Sequence, residues 1–167
     1  MEIPEYQRHI YDYFIDEYGN WFCEGNPVED PDLFRLLSRS LFEKGGKYFI
    51  RCEGEVHPVR VADAPLWIKY LHKTVDPKGN LAEVTIELTD GRKEKLDTNS
   101  LCIRGDSAIY CLATKRRLLA RFGKIAYYEL AQLLEWDEQK NKYFLPIGGK
   151  KIEIKKCMKT GTLQKSC

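Results

Sequence analysis

The sequence predicts an α+β fold in which two repeated strand–helix–hairpin units carry mostly antiparallel sheets and about three helices. Helix-start and helix-stop signals bracket three apolar stretches of helical period. Short alternating segments that end in glycine or Asp-Pro turns predict hairpins around these helices. The tripeptide Lys-Tyr-Phe occurs at 47–49 and at 142–144, and a glycine follows at the same spacing in both places. This recurrence predicts an internal repeat.

The helices are predicted from apolar spacing and from capping residues. A first helix is expected over Pro4–Glu17, and a third over roughly 125–136. Asp30 and Pro31 are typical of a helix start, because the aspartate caps the first turn and proline fits its first position. The buried face predicted for this second helix comprises Leu33, Leu36, Leu37 and Leu41.

The strands are predicted from alternation between turns. Pro58 cannot donate a hydrogen bond to a neighbouring strand, so the strand that carries it is expected at a sheet edge or at a bulge. The segments predicted as strands are 21–23, 47–53, 55–61, 66–71, 81–88, 92–96, 108–113, 116–122, 143–146 and 150–154.

The length of the chain bears on its organisation. A chain of 167 residues can bury about 70% of the surface of its unfolded form, so neither metal nor disulfide is needed for folding. One helix on a small hairpin buries too little apolar surface alone, and two such units would share a core. We therefore predict an N-terminal helix and first unit over 1–83, a second unit over 84–156, and a flexible basic tail over 157–167.

Composition indicates the compartment. No apolar run approaches the ~20 residues of a membrane-spanning helix, and the acidic, aromatic N-terminus is unlike a signal peptide. We therefore expect a cytoplasmic protein in which all six cysteines are free thiols. Cys23, Cys52 and Cys111 lie in apolar segments and are expected in the core. Cysteine and histidine do not cluster at ligand spacing, so we expect no metal and no cofactor.

Charge is divided unevenly along the chain. Residues 1–83 carry 15 acidic and 10 basic side chains, whereas residues 84–167 carry 10 acidic and 17 basic ones. Complementary surfaces are the simpler explanation, and a basic binding face is the alternative. Basic patches occur at 115–117 and 155–156, but the pI of about 8.1 is below the ~9 typical of dedicated nucleic-acid binders. Nucleic acid is therefore an unlikely partner.

Several short elements, taken in order, resemble a known bacterial family. They are Asp16-x-x-Gly19-x-Trp21-Phe22, Gly25-x-Pro27, Val61-x-Asp63-Ala64-Pro65, Ala120-Arg121-Phe122 and Tyr127-Tyr128-Glu129-Leu130. Over about residues 12 to 155 the chain resembles the domain-of-unknown-function family twelve-eighty-five. The resemblance implies an α+β fold with repeated motifs, no established activity, and a suggested link to signalling. Two positions depart from the family pattern: Leu66 replaces an aromatic residue, and Lys124 stands where arginine is frequent.

Catalytic signals are sparse. None of the three histidines, His9, His57 and His72, lies in a nucleophile or metal motif, and surface positions are the simpler interpretation. No Gly-x-Ser-x-Gly elbow, phosphate-binding loop or dinucleotide fingerprint is present. A small hydrolase-like enzyme that uses Cys23, paired with His57, or an acidic pair is the alternative function.

Binding residues are easier to find. Arginine can hold a carboxylate or phosphate with two parallel hydrogen bonds, and aromatic rings add contact area at small entropic cost. If the two predicted units face each other, such residues would line the groove between them. The simpler interpretation assigns the same residues to the core, to a turn cap and to a local ion pair. The candidate ligand-binding residues are Trp21, Arg60, Asp63, Trp67, Arg121, Tyr127 and Tyr128.

The function predicted from these observations is a non-enzymatic binding or regulatory module. It would hold a small anionic ligand or a partner protein between the two units. A protein-interaction domain that pairs through the edge strand at Pro58 is a further alternative. The sequence leaves a homodimer open, and it identifies neither the ligand nor the partner.

Overall fold

The computed structural model describes residues 9–158, and most of the regular structure there is β-strand. These residues form sixteen strands in three sheets and two α-helices. The predicted α+β fold, with about three helices in repeated strand–helix–hairpin units, is therefore wrong. Strands between residues 66 and 122 build most of one large sheet, and pairing between distant segments is not visible in local sequence patterns.

The chain divides into two structural units, and the first, Met1–Pro65, is built on a six-stranded sheet. Its strands are β1 (Tyr13–Ile15), β2 (Trp21–Cys23), β3 (Asn26–Pro27), β4 (Phe42–Lys44), β5 (Lys47–Cys52) and β6 (Glu55–Val61). The spatial order is β3–β2–β1–β6–β5–β4, and β1 runs parallel to β6 while the other pairs are antiparallel. The predicted hairpin of β5 and β6 is confirmed.

The first helix of the structure begins where its capping residue predicts. Helix α1 spans Pro31–Arg39, with proline in its first turn. A side-chain oxygen of Asp30 accepts a hydrogen bond from the backbone N–H of Asp32 at 3.0 Å, which satisfies a donor that the helix leaves free. The apolar face is narrower than predicted, because Leu37 and Leu41 are buried whereas Leu33 and Leu36 are exposed.

The helix predicted over Pro4–Glu17 does not form in its described part. Residues 13–15 are strand β1, and the first eight residues lie outside the described part of the chain. Tyr13 and Ile15 are buried side chains of this strand. Aromatic and β-branched residues favour strands. A short apolar run is compatible with either a helical or a strand period, so the pattern alone does not distinguish them.

The strand that carries Pro58 is not a sheet edge. Strand β6 lies between β1 and β5, and Pro58 is opposite Phe49 in the register. The interaction surface predicted at this edge is therefore absent. Proline lacks one donor but keeps its carbonyl oxygen, so an interior strand can accommodate it where that donor is not needed.

The second unit, Leu66–Cys167, carries a seven-stranded sheet. Its strands are β7 (Leu66–Val75), β8 (Leu81–Leu88), β9 (Lys93–Lys95), β10 (Cys102–Ile103), β11 (Ile109–Ala113), β12 (Leu118–Phe122) and β16 (Lys155–Lys156). The order is β16–β10–β11–β12–β7–β8–β9, with β16 parallel to β10 and β12 parallel to β7. All five residues of β11 are buried, as a central strand covered on both faces requires.

A helix and a small sheet lie between β12 and β16 in the chain. Helix α2 spans Lys124–Ala131, which is shorter than the predicted 125–136. Strands β13 (Glu135–Asp137), β14 (Lys142–Ile147) and β15 (Lys150–Glu153) form a three-stranded antiparallel sheet. The predicted hairpin of β14 and β15 is confirmed, whereas Trp136 lies on a strand and not at the end of a helix.

A disulfide joins Cys102 to Cys157, so the expectation of six free thiols is wrong. Cys23, Cys52 and Cys111 are free, and Cys167 lies outside the described residues. The bond links β10 to the residue that follows β16 in the chain.

Two further observations concern membrane-spanning helices and metal-binding clusters in the described residues. No helix among them is long and apolar enough to cross a membrane. No group of three or more His, Cys, Asp or Glu side chains within residues 9–158 is arranged to hold a metal ion.

Candidate ligand-binding groove in the second unit

A groove of about 830 Å³ lies on the second unit. Four segments form its walls: the turn after β10, the β13–β14 hairpin, the end of β15, and β16 with the residue that follows it. We name it the basic–aromatic groove, and its lining residues are 103–105, 107, 136, 140–143 and 153–157. Its volume lies within the roughly 300–1,000 Å³ common for small-molecule sites.

Positive charge dominates the lining. It contains one acidic residue, Glu153, and five basic residues. The basic residues are Arg104, Lys140, Lys142, Lys155 and Lys156. Side chains of one sign around a concave surface raise the local concentration of ions of the opposite sign.

Two of the basic side chains are paired with carboxylates. The Nζ of Lys142 lies 2.5 Å from Oε1 of Glu153. Arg104 holds Asp106 with two donors, Nε at 2.9 Å and Nη2 at 2.7 Å. Neither Lys155 nor Lys156, both exposed, has an ion pair with any residue in the range 9–158. These two lysines are therefore the cations most available to a ligand.

The carboxylates beside the groove stay ionised. The hydrogen bond from Lys142 lowers the pKa of Glu153. The hydrogen bonds from Arg104 are the main reason that the pKa of Asp106 is well below its usual range, and the backbone N–H of Ala108 contributes. Both ion pairs therefore persist at neutral pH, and a ligand must bind in their presence.

Two aromatic rings form the other component of the groove. Trp136 and Tyr143 are directly opposite each other on β13 and β14. Their ring centroids are 4.7 Å apart with the planes at 60°. Trp136 is 48% exposed and Tyr143 is 43% exposed, so the pair packs against itself and still presents ring surface to solvent. Cross-strand aromatic pairs of this kind stabilise a hairpin.

Backbone pairing fixes the lysine wall next to these rings. The N–H of Ile154 donates to the carbonyl oxygen of Tyr143 at 2.9 Å, one residue before Lys155. The N–H of Cys157 donates to the carbonyl oxygen of Ile103, also at 2.9 Å. The disulfide from Cys157 to Cys102 adds a covalent link at the same place. Both ends of the short β16 segment are thereby attached to other walls of the groove.

Comparisons with solved structures identify proteins of the same fold. A DUF1285 family protein from Silicibacter pomeroyi DSS-3 matches with a TM-score of 0.69 and 19% identity, over 92% of this chain and 87% of that one. A DUF1285 family protein from Shewanella baltica OS155 matches with a TM-score of 0.59 and 21% identity, over 72% and 90%. This chain has the DUF1285 fold. The family resemblance noted in the sequence is thus confirmed at the level of structure.

The comparison with DUF1285 proteins shows the fold and identifies no activity. Both matched proteins are named only for a domain of unknown function. No family model and no curated protein matches the sequence itself. The function of this chain must therefore be argued from its own residues.

Four of the candidate residues lie in the second unit, and two of them are stacked together. The guanidinium of Arg121 lies 5.2 Å from the ring centroid of Trp67 and 5.8 Å from that of the fully buried Tyr110. Arg104 also lies over the Tyr110 ring, at 5.2 Å. Arg121 is therefore linked through Tyr110 to a residue of the groove, but it does not line the groove.

The other two candidates of this unit lie on helix α2. The rings of Tyr127 and Tyr128 meet edge to face with centroids 5.7 Å apart. Tyr127 is half-buried and Tyr128 is exposed. Neither residue lines the groove.

The remaining three candidates lie in the first unit, each in a different environment. Trp21 is 4% exposed and packs edge to face against Tyr13 and Phe34, as a core residue does. Arg60 is exposed, pairs with Asp12 at 3.1 Å and lies over the Phe14 ring. Asp63 is half-buried in the bend after β6.

The alternative Cys23–His57 pair is not assembled. Nδ1 of the buried His57 accepts a hydrogen bond from the backbone N–H of Tyr11 at 3.0 Å. Within residues 9–158, no hydrogen bond connects His57 to Cys23. Burial, followed by the neighbouring Cys23, raises the pKa of Tyr13 to about 12, so its hydroxyl stays protonated at neutral pH.

Sequence analysis missed most of the groove. The sequence indicates a basic patch at Lys155 and Lys156, but it predicts Trp136 at the end of a helix and Tyr143 in a strand of the repeat. One signal is present in the sequence. Trp136 and Tyr143 flank the polar segment 137–142, which contains the turn-forming residues Asp137 and Asn141 but no glycine. Recognising that segment as a hairpin would have placed both rings on one face.

Proposed function

We propose that the second unit is a non-enzymatic binding module whose basic–aromatic groove holds a small anionic ligand. The observation that supports this most is the composition of the lining, with five basic residues and one acidic residue. The single acid is already paired with Lys142, so the groove keeps an excess of positive charge. The proposal keeps the class of ligand that the sequence predicted but moves the site to one unit.

The positions of the basic side chains favour phosphate-like or polycarboxylate anions. Lys155 and Lys156 are adjacent in strand β16, and both line the groove. Arg104 and Lys140 come from other walls. A ligand with several charged oxygens can contact more than one wall, whereas a monovalent anion cannot. The affinity would then fall steeply with salt, because the contacts are electrostatic.

A regulatory role would follow if ligand occupancy were the signal. The groove joins the small sheet to the edge of the large sheet, and β16 is attached to both. A multivalent anion that contacts several walls would stabilise their present arrangement by mass action. The proposal is therefore a sensor or adaptor of anionic ligands.

Inorganic tripolyphosphate is a suitable probe, because it has many charged oxygens and no other recognition group. We expect it to bind the full chain at low salt, as measured by isothermal titration calorimetry. The double variant Lys155→Gln/Lys156→Gln should bind it at least tenfold more weakly. Lys73→Gln/Lys95→Gln makes the same charge change on exposed strand residues outside the groove and should stay within twofold of wild type.

Equal weakening by the two double variants would contradict the proposal, because it would show attraction by net charge alone. Absence of any binding by the wild type at low salt would also contradict it. Melting temperatures of all the variants check that the fold is retained.

A further inference from the structure

The aromatic pair gives the groove a feature that binding of a bare anion does not use. Trp136 and Tyr143 pack together, and about half of each side chain remains exposed. Both rings line the same groove as Lys155 and Lys156. A half-exposed aromatic pair in the same groove as charged lysines can contact a ligand that has both a flat ring and negative charge.

We propose that the ligand of the groove is a nucleotide-like molecule, in which a planar base stacks on the Trp136 ring, with Tyr143 beside it, and phosphates contact Lys155 and Lys156. This inference rests on the proposed anion binding and specifies the class of anion. A planar base matches a flat ring surface, and base–aromatic stacking tolerates any base because each has a π-face. Phosphate oxygens match the lysine charges.

The arrangement of the backbone allows one ligand to reach both parts. Tyr143 is hydrogen-bonded through its carbonyl oxygen to Ile154, and Lys155 is the next residue. Neighbouring strands lie about 4.8 Å apart, so the tyrosine ring and the lysine originate from adjacent backbone positions. Both residues line the groove, so one small molecule in the groove can contact the rings and the charges.

Two uncharged polar side chains add hydrogen-bonding groups to the lining. Asn141 and Ser107 both line the groove. The asparagine amide offers two donors and an acceptor, and the serine hydroxyl offers a donor and an acceptor. Groups of this kind can bond to the edge of a base or to a ribose hydroxyl. A simple polycarboxylate would leave the rings and these groups unused, which favours the nucleotide class over organic acids.

Adenosine triphosphate and inorganic tripolyphosphate, compared without divalent cations, separate the base from the phosphates. Tripolyphosphate has at least as much negative charge, so any preference for the nucleotide must come from the nucleoside. We expect the full chain to bind adenosine triphosphate at least fivefold more tightly, in line with the contribution of one stacked base. Trp136→Ala should abolish this preference and leave tripolyphosphate affinity unchanged within twofold.

Fluorescence provides a readout that does not depend on the alanine variant. The chain has three tryptophans, of which Trp21 is buried, Trp67 is half-buried and Trp136 is exposed. A stacked base should quench the emission of Trp136 as the nucleotide saturates. Trp136→Phe retains an aromatic ring, so it should bind within about threefold of wild type and lose this quenching.

The possible outcomes are distinguishable. Equal affinity for the two probes, or an undiminished preference in Trp136→Ala, would overturn the nucleotide inference and leave anion binding in place. If quenching persisted in Trp136→Phe, stacking on Trp136 would be excluded. If neither probe bound at low salt, the proposed function and the inference would both fail. A single-stranded oligonucleotide that binds much more tightly than the mononucleotide would point to nucleic acid instead and would also overturn the inference.

Discussion

Arg104 illustrates how one neighbouring residue sets the charge that a groove presents. Its guanidinium is held by both carboxylate oxygens of Asp106, so part of its charge is neutralised before a ligand arrives. Asp106 is two residues away in the same turn and does not line the groove. The pair therefore offers a way to change groove charge without altering a lining residue.

Replacing Asp106 with asparagine should strengthen anion binding. The Asp106→Asn change removes one countercharge of Arg104, and exposed ion pairs contribute about 0.2–1 kcal/mol. Tripolyphosphate affinity should therefore rise by about twofold to fivefold at low salt, measured by calorimetry. Asp76→Asn, which makes the same change in a distant turn, is the control and should give no more than a small rise. A fall in affinity on Asp106→Asn would contradict this account of the groove.

The same carboxylate predicts a pH dependence of stability. Hydrogen bonds from Arg104 lower the pKa of Asp106 in the folded chain relative to its unfolded value of about 3.9. Its contribution to the free energy of unfolding is therefore complete above that value and is lost as the pH falls through the folded pKa. Because the side chain is half-exposed, we expect no more than about 1 kcal/mol.

Urea denaturation of wild type and Asp106→Asn between pH 2 and pH 7 tests whether the ionised carboxylate stabilises the folded chain. The difference in unfolding free energy should be constant near neutrality and should shrink below about pH 4. A difference that grows on acidification would show that the carboxylate is destabilising when ionised.

Residue-level prediction from sequence succeeded where the cause was local. Asp30 and Pro31 predicted the start of α1 because a cap and its helix are consecutive in the chain. Trp136 was misplaced because its environment is made by Tyr143, which pairs with it across a hairpin. Arg121 was singled out, but its stacking partners come from β7 and β11.

At the scale of elements, helix α2 begins at a position with no room for a side chain. Gly123 is its N-cap residue, and its N–H donates to the carbonyl oxygen of Ile68 at 2.9 Å. A Cβ at this position would lie 2.9 Å from that same oxygen. Its φ of −69° suits any residue, so the limit is steric and comes from the backbone of β7.

We therefore expect Gly123→Ala to destabilise the protein by about 1–3 kcal/mol, the usual cost of overpacking. Gly105→Ala is the matched control, because no atom lies within 4 Å of the added carbon. Unfolding free energies from urea titrations of both variants test this. Equal stabilities would show that β7 can move away from α2 at no cost.

The Cys102–Cys157 disulfide is the second feature at this scale. It closes a sequence separation of 55 residues and holds the segment after β16 to β10. The chain-entropy model gives about 4 kcal/mol for a loop of this length. Removing the bond should therefore lower stability, and it should weaken tripolyphosphate binding because Lys155 and Lys156 lose one attachment.

The disulfide can be removed in two ways, by reduction and by substitution, so the test does not depend on the serine substitutions alone. A dithiol reductant added to wild type, and the Cys102→Ser/Cys157→Ser variant, should each lower the free energy of unfolding by about 2–4 kcal/mol. Cys52→Ser alters a free, half-buried thiol of the first unit and is the control. Unchanged stability and unchanged binding by both routes would show that β16 is held by hydrogen bonds alone.

At the scale of elements, the sequence predicts only strand pairs whose members are close together in the chain. The β5–β6 and β14–β15 hairpins were predicted because both strands and their turn are contiguous. The parallel pairs β1–β6, β7–β12 and β10–β16 join segments far apart in the chain, and no local period encodes them. The Pro58 strand was placed at an edge for the same reason, since β1 could not be foreseen as its neighbour.

At the scale of the whole molecule, the sequence predicts the resemblance to DUF1285 proteins but not the architecture. The resemblance to DUF1285 proteins agrees with the structural matches, although identity to them is only 19% and 21%. The uneven distribution of charge was visible from composition, and the basic second half contains the groove. The concentration of that charge around two exposed rings required the tertiary structure.

The central claim is that a small anion occupies the groove formed by the turn after β10, the β13–β14 hairpin, the end of β15, and β16. Titration of ¹⁵N-labelled full chain with tripolyphosphate, followed by backbone amide NMR shifts, tests it most directly. We expect saturable shifts concentrated at 103–107, 136–143 and 153–157. Shifts centred on Trp21 and Arg60, or spread evenly over the chain, would contradict the claim.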